Sequence, residues 1–182
     1  QVSSANIDAK DVTMRNILSS ENYYYDGNDL GLTLSGNNAI FKVWAPTASE
    51  VSLMIYDDAG VYDDYGYVKD NKNGQELKMT REDNGVWTAE QGKDLVGKYY
   101  LYKVSFANGT VNYAIDPYAK AVSANGQRGY VADLNSTDPS NWNPGYKPEL
   151  IDFTDAIIYE MHIRDFSIAD DSGMSSKGQY SA

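Results

Sequence analysis

Between residues 23 and 135, short apolar and polar positions alternate along most of the chain. In AIFKVWAP, Phe41, Val43 and Ala45 share one parity and Pro46 ends the run; in EVSLMIYDD, Val51, Leu53 and Ile55 repeat it before an acidic turn. A period of two places alternate side chains on one face of a pleated strand, so each run predicts a half-buried strand. QELKMT predicts a further short strand, Asp83-Asn84-Gly85 a turn and VWTAE the next strand. The stretch KYYLYKVSFANGTVNYAI predicts a hairpin, with Tyr100, Tyr102, Val104 and Phe106 on one face. Its tight turn falls at Asn108-Gly109, and Val111, Tyr113 and Ile115 form the return. Short strands punctuated by turns, with no convincing amphipathic helix among them, predict an all-β, immunoglobulin-like β-sandwich. Residues 1–22 are a polar junction segment in which VTMRNIL reads as a short strand or one helical turn.

The pattern changes after residue 135. Residues 136–153 hold Pro139, Pro144 and Pro148, three of the five prolines, and read as a stiff connector. Residues 154–182 open a second unit. There Ala156-Ile157-Ile158-Tyr159 is apolar on both alternating faces, the pattern of a strand covered on both sides. Covering it takes partner strands and helices, and about 30 residues are too few to supply them. The expectation is that this stretch is a strand of an incomplete domain.

Composition narrows the function. With 42% hydrophobic residues in 182, the chain can bury a core, and 16 tyrosines favour strands and polar-edged surfaces. A formal charge of −11 argues against a nucleic-acid partner, which needs a basic stripe. The absence of cysteine and the single histidine exclude thiolate and multi-histidine metal sites within this chain, so no metal ligands are assigned. No apolar stretch reaches the length of a membrane-spanning helix. The compartment is not fixed by any of this, an extracellular one included.

Several motifs in order then become informative: YYYDGNDLG (Tyr23–Gly31), FKVWAPTA (Phe41–Ala48), GKYYLYKV (Gly97–Val104), AIDPYAKAVSANG (Ala114–Gly126) and DAIIYEMHIRDFSI (Asp155–Ile168). Together they resemble type I pullulanases, starch-debranching glycoside hydrolases of the α-amylase superfamily that cleave α-1,6-glucosidic linkages. The resemblance implies that residues 23–135 are the carbohydrate-binding-type sandwich that precedes the catalytic domain. Residues 154–182 would carry the first strand of the catalytic (β/α)8 barrel, a fold of about 250 residues. The family's catalytic carboxylates lie on later barrel strands, so no catalytic residue is assigned here, and this chain alone is expected not to hydrolyse glucans. The implied partners are the remainder of the same enzyme, in the same or a second chain, and an α-glucan substrate. No cofactor is required; a structural calcium ion is compatible with the complete enzyme.

Three groups of residues invite a chemical reading. His162, Arg164 and Asp165 would form a polar cluster at the barrel top, read chiefly as an Arg–Asp pair beside a hydrogen-bonded histidine. Tyr62, Tyr65 and Tyr67 are candidate sugar platforms, because a pyranose ring presents an apolar face to an aromatic one. Glycogen-binding modules of this type carry tryptophan in the two corresponding loops, where this chain has only tyrosine; weak or undetectable glucan affinity follows. Trp44 reads as core. DGNDLG (Asp26–Gly31) begins like a calcium loop, but Leu30 sits where a carboxylate or amide is needed and Asn37 replaces the closing glutamate, so it reads as a turn into the first strand. The rival function is a stand-alone carbohydrate-binding or adhesion module, which has no use for DAIIYEMHIRDFSI.

Overall fold

A computed structural model describes residues 17–143, 145 and 149–181. The expected strand or turn over VTMRNIL lies largely outside these residues; a 3-10 turn covers Ile17–Ser19. The chain divides after Asp138 into two compact units.

The first unit is a sandwich-like pair of antiparallel sheets. Strands β1 (Gly31–Ser35), β2 (Asn38–Trp44), β5 (Thr80–Arg81) and β6 (Val86–Gly92) form one sheet in the order β1-β2-β6-β5. Strands β3 (Glu50–Tyr56), β4 (Gln75–Lys78), β7 (Tyr99–Ser105) and β8 (Val111–Ala114) form the other in the order β4-β3-β7-β8, and β9 (Gly129–Tyr130) also pairs with β7. The alternation predicted for β2 holds: Ala39, Phe41 and Val43 are buried and their neighbours are not. They meet Val51, Leu53 and Ile55 of β3 and Tyr100 and Tyr102 of β7 in one core between the sheets. The Phe41 and Tyr100 rings pack edge-on at 5.0 Å. The β7–β8 hairpin forms around Asn108-Gly109 as expected, but its loop is three residues, 107–109: Phe106 N–H donates to Thr110 O at 2.9 Å and Ser105 lies opposite Val111.

Three expectations change. QELKMT is two strands rather than one: β4 pairs with β3, β5 pairs with β6, and Met79 between them is buried while its N–H donates to Val51 O at 3.0 Å. The chain therefore crosses from one sheet to the other within one residue. β3 is buried on both faces, because Met54 and Tyr56 join Leu101 in a second cluster under Tyr99, Tyr113 and Ile115. Trp44 is not a core residue. It shares its parity with Lys42, so it faces outward, 37% exposed, and its Nε1 donates to Tyr23 O and Asn84 O, both at 2.9 Å. Trp87 is the tryptophan of the core.

In the second unit the strand predicted over residues 156–163 is not formed. Residues 156–162 have no ladder partner among the described residues, Ile157 is 97% exposed, and Ile163 opens a single helical turn, α1 (Ile163–Ser167). An apolar run without a neighbouring strand has nothing to satisfy a ladder, so pattern alone cannot make it one. His162 caps α1, its Nδ1 accepting from Asp165 N–H at 3.3 Å. The close contact inside the cluster is between His162 Nδ1 and the Asp165 carboxylate, 3.4 Å apart, and the expected Arg164–Asp165 pair does not form. Residues three apart face each other on a helical turn and adjacent ones do not.

Candidate functional site

The tyrosine-rich segment between β3 and β4 is ordered by two devices. Residues 61–69 form a small hairpin: Tyr62 and Val68 make an antiparallel bridge, Lys69 N–H donates to Val61 O at 3.0 Å, and Asp63 N–H donates to Tyr67 O at 2.8 Å. At its tip the Asp63 carboxylate accepts from the N–H groups of both Tyr65 and Tyr67, each at 2.9 Å. An aspartate bonding backbone two and four residues on is a local substitute for a ladder. It leaves Tyr65 87% and Tyr67 62% exposed on a fixed backbone. Tyr62 differs: the residue is half-buried, and its hydroxyl is buried without a partner among the described residues, so its tip points inward.

The second device is Arg128, which sequence reading missed. Only 1% of it is exposed. Its guanidinium donates to Asp58 O and Asp70 O, both at 3.0 Å, and to Asn71 Oδ1 from Nε at 3.4 Å and Nη2 at 3.2 Å. It also lies over the Tyr56 ring, 3.6 Å from the centroid, and 3.6 Å from the Asp58 carboxylate. A planar fork of five donors can hold both ends of a loop at once, which lysine cannot. Burial pushes the Tyr56 phenol up to about 12, so it stays a donor, to Asn71 O at 2.6 Å.

A further buried group braces the strands behind. Asp116, 3% exposed, accepts from Tyr100 Oη at 2.8 Å, Tyr102 Oη at 3.4 Å and Tyr118 N–H at 2.9 Å. Burial raises its pKa, against the opposing pull of those donors. Both tyrosine hydroxyls are pushed up by the same burial. At the calcium-like stretch, Asp29 bonds Tyr25 and, at 2.7 Å, Lys42; the Lys42 hydrogen bond is the main cause of its lowered pKa. No group of three or more acidic or histidine residues suited to a metal occurs among the described residues.

Two stacked antiparallel sheets bearing a braced aromatic hairpin define an accessory β-sandwich module. Carbohydrate-binding module 48, the isoamylase N-terminal domain, matches residues 29–119, and the chain belongs to that family. Its relatives reach beyond the module. The pullulanase of Bacillus subtilis (strain 168) is 36% identical over 162 residues, which is 89% of this chain and 20% of that protein. The chloroplastic pullulanase 1 of Arabidopsis thaliana is 36% identical over 161 residues, 84% of this chain and 16% of that protein. Among solved structures, the pullulanase of Paenibacillus barengoltzii in complex with maltohexaose and α-cyclodextrin superposes with a TM-score of 0.74. It shares 38% identity over 92% of this chain and 24% of its own. The pullulanase of Bacillus acidopullulyticus gives 0.72 and 41%, over 91% and 19%. The chain spans about a fifth of the length of these curated relatives; in them the matched stretch is one part of a larger pullulanase.

Proposed function

We propose that this chain is the accessory module, and the entry into the catalytic domain, of a debranching glycoside hydrolase acting on α-1,6 linkages of pullulan-like glucans. The observation that carries the reading is the span of the likeness: 92% of the chain, well beyond the 29–119 module. A stand-alone binding or adhesion module would give no reason for similarity over the later residues. On this reading, residues 156–163 are the first barrel strand, which forms its ladders with the rest of the barrel, and His162, Arg164 and Asp165 lie at its C-terminal end. The catalytic carboxylates belong to later strands. Hydrogen exchange on the 182-residue chain tests the strand: amides of residues 157–163 should exchange freely. Protection matching that of Tyr100–Val104 would assign the stretch to the sandwich instead.

The module's own contribution is a modest α-glucan contact through Tyr65 and Tyr67. Two aromatic contacts of about 0.5–1.5 kcal/mol each fall short of the roughly 4.1 kcal/mol of millimolar binding, so polar neighbours must share the work and affinity is weak. In an NMR titration with maltohexaose we expect a dissociation constant of millimolar order or weaker, with Tyr65→Ala weakening it about five-fold. Micromolar binding indifferent to Tyr65→Ala would remove the tyrosine pair from the contact.

A further inference from the structure

The hairpin of residues 61–69 is short, and its own hydrogen bonds do not fix where it points. A second loop does. Residues 123–128 form a tight turn closed by Ser123 N–H to Arg128 O at 2.8 Å and Arg128 N–H to Ser123 Oγ at 3.0 Å. The turn is seated on β7 through β9, where a Cβ on Gly129 would come within 2.6 Å of the Tyr100 ring. From this platform two side chains reach the hairpin: Asn125 Nδ2 donates to Gly66 O at 3.2 Å, and Gln127 Oε1 accepts from Val68 N–H at 3.3 Å. The approach is close enough to need glycine: Gly66 has φ +83°, and a Cβ there would meet Asn125 Nδ2 at 2.4 Å. Asn125 itself has φ 57°, a conformation asparagine and glycine tolerate better than other residues.

We propose that Asn125 and Gln127 are positioning residues, which hold the hairpin at a fixed angle so that Tyr65 and Tyr67 form a preset pair for the glucan. The proposal rests on the tyrosine contact proposed above. Neither residue is assigned a bond to the sugar. Their effect comes from removing the ordering cost that a free hairpin would pay on binding. Arg128 grips the base of the same segment, so the two tethers control only its tip. Cutting them should leave the sandwich intact.

The test uses the 182-residue chain carrying Asn125→Gly, which keeps the backbone conformation, with Gln127→Ala. Amide exchange of residues 65–69 should rise at least ten-fold while that of Tyr100–Val104 is unchanged, and the maltohexaose dissociation constant should rise about three- to ten-fold. Using Gln127→Glu in place of Gln127→Ala restores the acceptor for Val68 N–H but not the Asn125 tether, and should recover about half of both effects, which a general loss of packing would not. Unchanged exchange in the double variant overturns the tether. Faster exchange with unchanged affinity, where Tyr65→Ala does weaken binding, overturns its role in recognition. If the unmodified chain shows no maltohexaose binding, the glucan reading is what fails, and the exchange data alone then uphold or overturn the tether.

Discussion

Arg128→Ala should lower the stability of the sandwich by about 4 kcal/mol. Breaking a buried charged network costs about 3–5 kcal/mol when partners are left unpaired. Here the acceptors left behind are Asp58 O, Asp70 O and Asn71 Oδ1, and the Tyr56 ring loses the cation above it. The guanidinium is tolerated in the interior because carbonyl dipoles, an amide oxygen and an aromatic face surround it, with the exposed Asp58 carboxylate nearby. Arg128→Lys keeps the charge but replaces a fork by a point donor, and should recover less than half of the loss. Urea unfolding gives the comparison, as a shift in midpoint at constant slope. A loss below about 1 kcal/mol for the alanine variant, within the net worth of one ordinary hydrogen bond, would show that the segment between β3 and β4 rehydrates at no cost and that Arg128 is not its clamp.

The second large effect belongs to Asp116. Asp116→Ala leaves the Tyr100 and Tyr102 hydroxyls without their acceptor in the core, at about 1–3 kcal/mol for each orphaned group, or about 3 kcal/mol together. The isosteric Asp116→Asn should cost far less, because the phenols can rotate to accept from the amide. The pair also yields a pH signature. Burial raises the folded pKa of Asp116 above its ordinary 3.8, so the folded chain holds this proton more tightly than the unfolded one. Its contribution is fully present below the ordinary value and is lost as pH rises through the raised folded value. Exposed carboxylates such as Asp29 and Glu76, held low by lysine partners, act in the opposite sense: their small contribution is lost as pH falls. Subtracting the asparagine variant isolates Asp116. Relative to Asp116→Asn, the unmodified chain should lose stability as pH is raised from 3 towards 7. A difference that is flat with pH, or of opposite slope, would mean that the three hydrogen bonds outweigh the burial.

Much of the sandwich was legible because the central strands bury at least one face, and period two records that directly. Phe41 and Val43 were placed by it, as were Val51, Leu53 and Ile55, and Asn108-Gly109 marked the β7–β8 turn. The same rule, followed strictly, puts Trp44 on the outer face; a place within a strand pattern does not by itself make a tryptophan core. Met79 was hidden because a strand that changes sheets keeps its alternation. Residues 156–163 show the converse limit, since an apolar run states what a segment could pair with and not whether a partner is present. Tyr65 and Tyr67 were legible as a loop of tyrosines. Their support was not: Arg128 lies 70 and 58 residues away in sequence from the two carbonyls it holds, and no local pattern records such a contact. Asp116 stood within a motif that carried the family resemblance, but only the fold brings two tyrosine hydroxyls to its carboxylate.

The crossing at Met79 also governs how the module can deform. Stacked sheets commonly relax by shear, one sliding over the other while each keeps its ladders. Here Lys78 is still committed to β3 and Thr80 is already committed to β6, with the Met79 side chain buried between and its N–H on Val51. The link has one residue of slack, about 3.3 Å of travel. Sliding further would tear a ladder on one side or pull a buried thioether through the core. The two sheets are riveted at that edge, and a load applied to either should turn the module as a block.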